Sequence, residues 1–334
     1  MSLDGVLVID KPVGPTSHDV VARVRRILRE QRVGHTGTLD PMASGVLPLV
    51  IGRATRLARF LDADDKRYEA TIRLGFSTDT YDALGQPTGV RHGGQMPSRD
   101  AIERALDGFR GTFLQQPPAF SAKKIDGRRS YRLARAHARA HAAPAAGPAL
   151  PASPALPAPP AVPAPPALPA PARVTAQRIE IVSVDTDLVI LRIVCSGGFY
   201  VRSLAYDLGQ VLGIGAHLAA LRRTEASGMT LAEAVPLTTI EHESEGADRA
   251  RSALLPLARM LPEIPSITLT LDGVRRAASG CDLGRLDAGG AFADLGSGGE
   301  RGERFRLLDP AGDLVGIAVR SSTPGLLHPA VILV

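Results

Sequence analysis

The chain contains no tryptophan, and its 334 residues include only two cysteines, Cys195 and Cys281. Two cysteines so far apart cannot form a disulfide framework or a cysteine-based zinc site, and their scarcity fits a reducing compartment. Also absent is any apolar run approaching the roughly 20 residues that a membrane-spanning helix requires. The opening Met1-Ser2-Leu3-Asp4-Gly5 lacks the basic start of a secretory signal. A cytoplasmic protein with no membrane partner is therefore expected. A large excess of one charge is missing as well: 39 Lys and Arg face 34 Asp and Glu, for a net charge of +5. That balance favours an anionic partner, although solubility alone accounts for a charge of this size.

What is present is ordinary globular composition, with 44% hydrophobic and 22% charged residues. A chain of this length can bury one large core and carry a small second domain. Gly5 to Ile9 reads as an apolar strand, followed by the turn Asp10-Lys11-Pro12-Val13-Gly14-Pro15-Thr16-Ser17. Ser17 is the expected N-cap of a helix whose apolar face is Val20, Val21, Val24, Ile27 and Leu28. Val46 to Ile51 reads as a buried strand, and Lys66 to Leu74 as an alternating one with Tyr68, Ala70, Ile72 and Leu74 on one side. A helix from Ser98 turns Ile102, Leu106 and Phe109 inward. Strands are expected near Gln177 to Val184 and Leu188 to Cys195, then a helix with Val201, Leu204, Ala205, Leu208 and Val211 on its inner face. Past residue 265 the chain is glycine-rich, with short strands near Phe305 to Leu308 and Val315 to Val319.

Between these elements, Pro144 to Pro171 holds 12 prolines in 28 residues, mixed mainly with alanine and free of charge. Such a segment cannot bury enough varied apolar surface to offset ordering, so an extended external tether is expected, reaching about 85 Å at roughly 3.1 Å per residue. His137 and His141 have i, i+4 spacing, but with no third ligand nearby no metal site is assigned.

The most informative stretch is Val33-Gly34-His35-Thr36-Gly37-Thr38-Leu39-Asp40-Pro41-Met42-Ala43-Ser44-Gly45-Val46-Leu47-Pro48. Its glycines permit backbone conformations and close approaches that other residues resist, and Pro41 biases Asp40 away from helical torsions. Asp40 has two readings, a turn residue held by local hydrogen bonds and a presented catalytic carboxylate. The string, continued by Val46 to Arg56, closely resembles the motif around the nucleophilic aspartate of the TruB family, the bacterial tRNA pseudouridine-55 synthases. Further segments resemble that family in the same order. They are D-K-P-x-G-x-T-S from Asp10, Lys66-Arg67-Tyr68, T-D-T-x-D-x-x-G from Thr78, and Q-x-P-P-x-x-S-A-x-K from Gln115. Cys195-Ser196-Gly197-Gly198-Phe199-Tyr200-Val201-Arg202 and Leu221-Arg222-Arg223 complete the series. Phe199 stands where the family usually has threonine, and residues 138 to 172 lie outside the resemblance.

The resemblance implies an α+β pseudouridine synthase fold, with a mixed, mainly antiparallel β-sheet flanked by helices and a small C-terminal PUA-like β-domain. The catalytic domain would cover 1–260, with a thumb-like insertion near 115–173, and the PUA-like RNA-binding domain 265–334. It implies Asp40 as the nucleophile, Arg202 as its ion-pair partner and Tyr68 as the residue stacking on the target base. RNA-facing roles fall to His35, Lys11, Asp82, Lys123, Lys124, Arg128, Leu221 and Arg222. Of these, Asp82 is expected to support the site through hydrogen bonds, and Leu221 to line the base pocket.

Other readings stand beside these: a packed strand tyrosine for Tyr68, an exposed helix arginine for Arg202, ordinary core for Leu221 and a structural histidine for His35. The crowding of Lys123, Lys124, Arg128, Arg129, Arg132, Arg135 and Arg139 itself suggests a phosphate-binding stripe. The implied partner is the T-arm stem-loop of tRNA, with no obligate protein partner. The implied reaction needs no redox cofactor, metal or nucleotide. Two other function classes stand beside this one: an RNA-folding chaperone, whose activity can coexist with the chemistry, and an Asp-nucleophile glycoside hydrolase, for which the motifs offer no convincing partner acid.

Overall fold

The computed structural model describes residues 3–61, 65–121, 123–125, 128–129, 168–242, 245–289 and 303–334. In chain order the principal strands are β1 (Gly5–Lys11), β2 (Val33–His35), β3 (Ala43–Ile51), β4 (Lys66–Leu74), β5 (Gly111–Gln115), β6 (Ala172–Asp185), β7 (Leu188–Cys195), β8 (Ala216–Ala226), β9 (Ser266–Thr268), β10 (Arg304–Leu308), β11 (Leu314–Arg320) and β12 (Leu327–Ile332). The principal helices are α1 (Ser17–Leu28), α2 (Arg99–Leu106), α3 (Val201–Val211) and α4 (Leu271–Ala278). The chain forms two compact units, Met1–Tyr68 with Arg222–Val334, and Glu69–Leu221.

In the first unit the strand order is Val235–Pro236, β1, β3, β8, with β2 also paired to β3. β1 runs antiparallel to β3 from Gly5 opposite Ile51 to Lys11 opposite Gly45, while Val235–Pro236 lies parallel to β1. Helix α1 is set by its ends and its apolar face. Thr16 is the N-cap, accepting from the Asp19 amide while Asp19 accepts from the Thr16 backbone, a reciprocal arrangement worth about 1 kcal/mol. Ser17, expected as the cap, is instead the first helical residue, because Asp19 stands three positions after Thr16 and completes the box there. Val20, Val21, Val24 and Leu28 are buried, and the helix stops where Arg29 turns left-handed at φ 54°.

The small C-terminal sheet is ordered β9, β10, β11, β12, with β9 parallel to β10 and the other pairs antiparallel. Ile267, Leu269, Phe305 and Leu307 belong to its own core, whereas Leu314, Ile317 and Leu333 pack into the cluster that holds Val6, Val46 and Phe60.

In the second unit the order is β4, β7, β6, β5, with β7 and β5 both antiparallel to β6. β4 alternates as its sequence predicts, and Lys66 joins the buried side. Ser98 caps α2, and Ile102 and Leu106 are buried beneath it while Phe109 is half-buried. β6 begins five residues before the expected Gln177, since Ala172 to Ala176 find partners in β5, 57 to 65 residues away in sequence. Val211, expected on the inner face of α3, is exposed because it lies past the last buried position of the helix, Gly209.

The proline-alanine stretch up to residue 167, His137, His141 and most of the expected thumb lie outside the described residues. Among the described residues no helix is long and apolar enough to cross a membrane.

Candidate active site

In the first unit, Asp40 lies in the loop joining β2 to β3, with its side chain half-buried. Its carbonyl accepts from the Ala43 amide at 3.0 Å, so the backbone here forms a hydrogen-bonded turn. The loop is pinned from several directions. The Ser17 hydroxyl donates to the Leu39 carbonyl at 3.1 Å and accepts from the Leu39 amide at 2.9 Å. The Gly14 amide donates to Pro41 at 2.8 Å, and the Thr36 amide to Pro48 at 3.1 Å. Arg223, fully buried, donates through Nε to the Val46 carbonyl at 2.7 Å and through Nη2 to the Gly37 carbonyl at 2.9 Å. Gly45 is required there: at φ 103°, a Cβ would fall 2.1 Å from the Arg223 carbonyl oxygen.

Lys11 ends β1 and is fully buried, its ammonium donating to the carbonyls of Pro12 and Pro15 at 2.9 Å each. Burial lowers its pKa to about 8, against the field of Asp40, which favours the charged form. The Lys11 ammonium, for which an RNA contact is expected, is thus bonded in this structure to two proline carbonyls of the following loop. Arg222 is partly exposed and pairs with Asp10 at 2.8 Å. His35 is half-buried, its ring edge-on to His18 with centroids 5.3 Å apart. Tyr68 is buried in β4.

In the second unit, Arg202 is the second residue of α3 and only 4% exposed, which overturns the exposed-helix reading. It donates to the carbonyls of Thr80 at 3.2 Å and Phe120 at 2.8 Å, and its Nη1 stands 3.7 Å from Asp82 Oδ2. Asp82 is itself buried. Its Oδ1 accepts from the Thr80 hydroxyl at 2.6 Å and the Leu84 amide at 3.0 Å, and its carbonyl accepts from the Thr78 hydroxyl at 2.7 Å. Asp82 therefore supports the loop and Arg202 through hydrogen bonds, the supporting role expected of it. The start of α3 is clamped in turn: Gln115 bonds both the amide and the carbonyl of Tyr200, and the Ser203 hydroxyl donates to Gln116. Leu221 is buried, and Lys123 is exposed. Lys124 and Arg128 lie on the paired segments Lys124–Ile125 and Arg128–Arg129, their side chains outside what is described.

Motif reading did not single out Arg223, Ser17 or Gln115 for these contacts. The signal for the first was a second arginine directly after Arg222 on a strand, where alternation sends one of the two inward.

Residues 25–146 match the N-terminal domain of the TruB family pseudouridylate synthases, and residues 202–262 match the tRNA pseudouridylate synthase B C-terminal domain. The chain is 39% identical to tRNA pseudouridine synthase B of Solibacter usitatus, over 99% of this chain and all of that one. It is 36% identical to the protein of that name from Geobacter sulfurreducens, over 97% of this chain and 95% of the other.

Among solved structures, a Cbf5-Nop10-Gar1 complex contains a chain with the same fold, at a TM-score of 0.69 and 24% identity, over 99% of this chain and 85% of that one. An H/ACA RNP bound to a substrate RNA containing 2'-deoxyuridine contains another, at 0.68 and 22%, over 99% and 86%. The fold is thus that of the pseudouridine synthases. The chain belongs to the TruB family.

Proposed function

We propose that this protein isomerises uridine 55 to pseudouridine in the T-arm stem-loop of tRNA, in the cytoplasm. The observation that carries the reading is Asp40, a half-buried carboxylate in a hydrogen-bonded loop that matches the family motif. The reaction breaks the N1 to C1' bond of uridine, turns the base and rejoins it through C5, with N1 gaining a proton and C5 losing one. A carboxylate nucleophile suffices for this exchange, attacking C1' of the ribose or C6 of the base.

Arg202 would orient the Asp40 carboxylate through a charge-assisted pair, as the family resemblance implies. The target base must leave its stack, at a cost of a few kcal/mol, and stacking on Tyr68 would return about 1–3 kcal/mol. Leu221 would supply an apolar wall, and His35 would fill or open the space of the extruded nucleotide. Lys123, Lys124, Arg128 and Arg222 would meet phosphates along the stem. Residues 1–260 would form the catalytic domain, with the insertion near 115–173 pressing on the RNA and 265–334 acting as a PUA-like RNA-binding domain.

The test is incubation of purified protein with an unmodified tRNA transcript, without added cofactor or metal, followed by mapping of pseudouridine. Modification at position 55 supports the proposal. Tight binding without modification would leave an RNA chaperone, and free uracil would point to glycoside hydrolysis.

A further inference from the structure

Tyr81 occupies the variable position of the T-D-T-x-D-x-x-G segment, and Tyr206 lies beyond the arginine that closes the C-S-x-G-T-Y-I-R-like one. The family resemblance therefore assigns neither a role. The backbone of Tyr81 is left-handed at φ 64°, a conformation that a bulky L residue adopts rarely and only where its surroundings hold it. Its amide donates to the Thr78 carbonyl at 3.2 Å, and its carbonyl accepts from the Leu218 amide at 3.0 Å. Its ring lies stacked on Tyr206, with centroids 3.9 Å apart and planes 17° from parallel.

Tyr206 stands four residues after Arg202 on α3, so the two side chains leave the same face of the helix one turn apart. Both grip one tripeptide. Arg202 holds Thr80 and faces Asp82, the residues flanking Tyr81, and Tyr206 holds Tyr81 itself. Gln115 and Gln116 clamp the first turn of the helix at Tyr200 and Ser203, and the stack adds an attachment to the loop one turn beyond Arg202. We propose that the Tyr81–Tyr206 stack is a positioning device for Arg202, fixing the rotation of α3 so that the guanidinium stays seated on the Thr80–Asp82 loop.

This inference rests on the reading of Arg202 as part of the reaction, and the test separates the two. Steady-state tritium release from C5-labelled tRNA is compared for the full-length protein and its Tyr206→Ala, Tyr206→Phe, Tyr81→Gly, Arg202→Lys and Tyr206→Ala/Arg202→Lys variants. Tyr206→Ala and Tyr81→Gly should each lower kcat about ten-fold while KM stays within about three-fold, and Tyr206→Phe, which keeps a stacking ring, should stay within about two-fold of the parent. Glycine accepts the left-handed backbone, so Tyr81→Gly removes the ring without straining the loop. Adding Tyr206→Ala to Arg202→Lys should cost less than about two-fold further, since the residue being positioned is already altered. Undiminished kcat in Tyr81→Gly, or losses that simply multiply in the double variant, would overturn the positioning role while leaving the reading of Arg202 in place. Full activity of Arg202→Lys would overturn that reading itself.

Discussion

Ser17 and Leu39 are joined by two hydrogen bonds through a single hydroxyl, which donates to the Leu39 carbonyl and accepts from its amide. Both residues are buried, and Leu39 immediately precedes Asp40. The first turn of α1 is thereby tied to the backbone that presents the candidate nucleophile. Ser17→Ala strands a buried donor and a buried acceptor, an expected cost of about 1–3 kcal/mol. Loosening of the loop should also lower kcat about ten-fold with KM little changed, because misplacement of a reacting group is costly. Urea denaturation and steady-state kinetics on the one variant check both effects.

Gly45 and Arg223 define a second constraint on the same loop. Gly45→Ala would place a methyl group against the Arg223 backbone and force an L side chain to φ 103°. The loss is expected to be roughly 3 kcal/mol, at the upper end for single substitutions. A fall in the urea midpoint with an unchanged m-value would show that stability, and not the compactness of the unfolded chain, has changed.

Asp207, on α3, has its carboxyl raised by burial from 3.8 to about 6. The folded state therefore holds this proton to higher pH than the unfolded chain does. The group adds no penalty below about pH 3.8, costs stability progressively as pH rises toward 6, and costs the full amount above it. Asp207→Asn, neutral throughout, should match the parent near pH 4 and exceed its melting temperature by about 2 °C or more at pH 7. Thermal melts at pH 4, 5, 6 and 7 would expose the trend; a constant difference across that range would contradict it.

Local pattern made much of the molecule legible. Alternation from Lys66 to Leu74 reads directly as β4, and Ser98 followed by Ile102 and Leu106 reads as a capped amphipathic helix. The loop that carries Asp40 is legible as a candidate because glycines and a proline crowd one carboxylate into a small segment. What the pattern could not show is long-range. Lysine is expected at the surface, and nothing local reveals that Lys11 turns inward to two proline carbonyls. The extra length of β6 depends on β5, and the Tyr81–Tyr206 stack joins residues 125 positions apart. Thr16 and Ser17 are both competent caps, and Ser17 was freed for Leu39 by Asp19, which completes the capping box with Thr16.

The most direct test of the account replaces Asp40 with asparagine, which keeps shape and removes charge and nucleophilicity. Tritium release from C5-labelled tRNA is followed under single-turnover conditions, alongside tRNA affinity. The account predicts a loss of at least about 10³-fold in release with Kd within a few-fold of the parent, because the group acts on the reacting atoms and adds little to ground-state binding. Release within ten-fold of the parent would contradict it, and the nucleophile would have to be sought elsewhere.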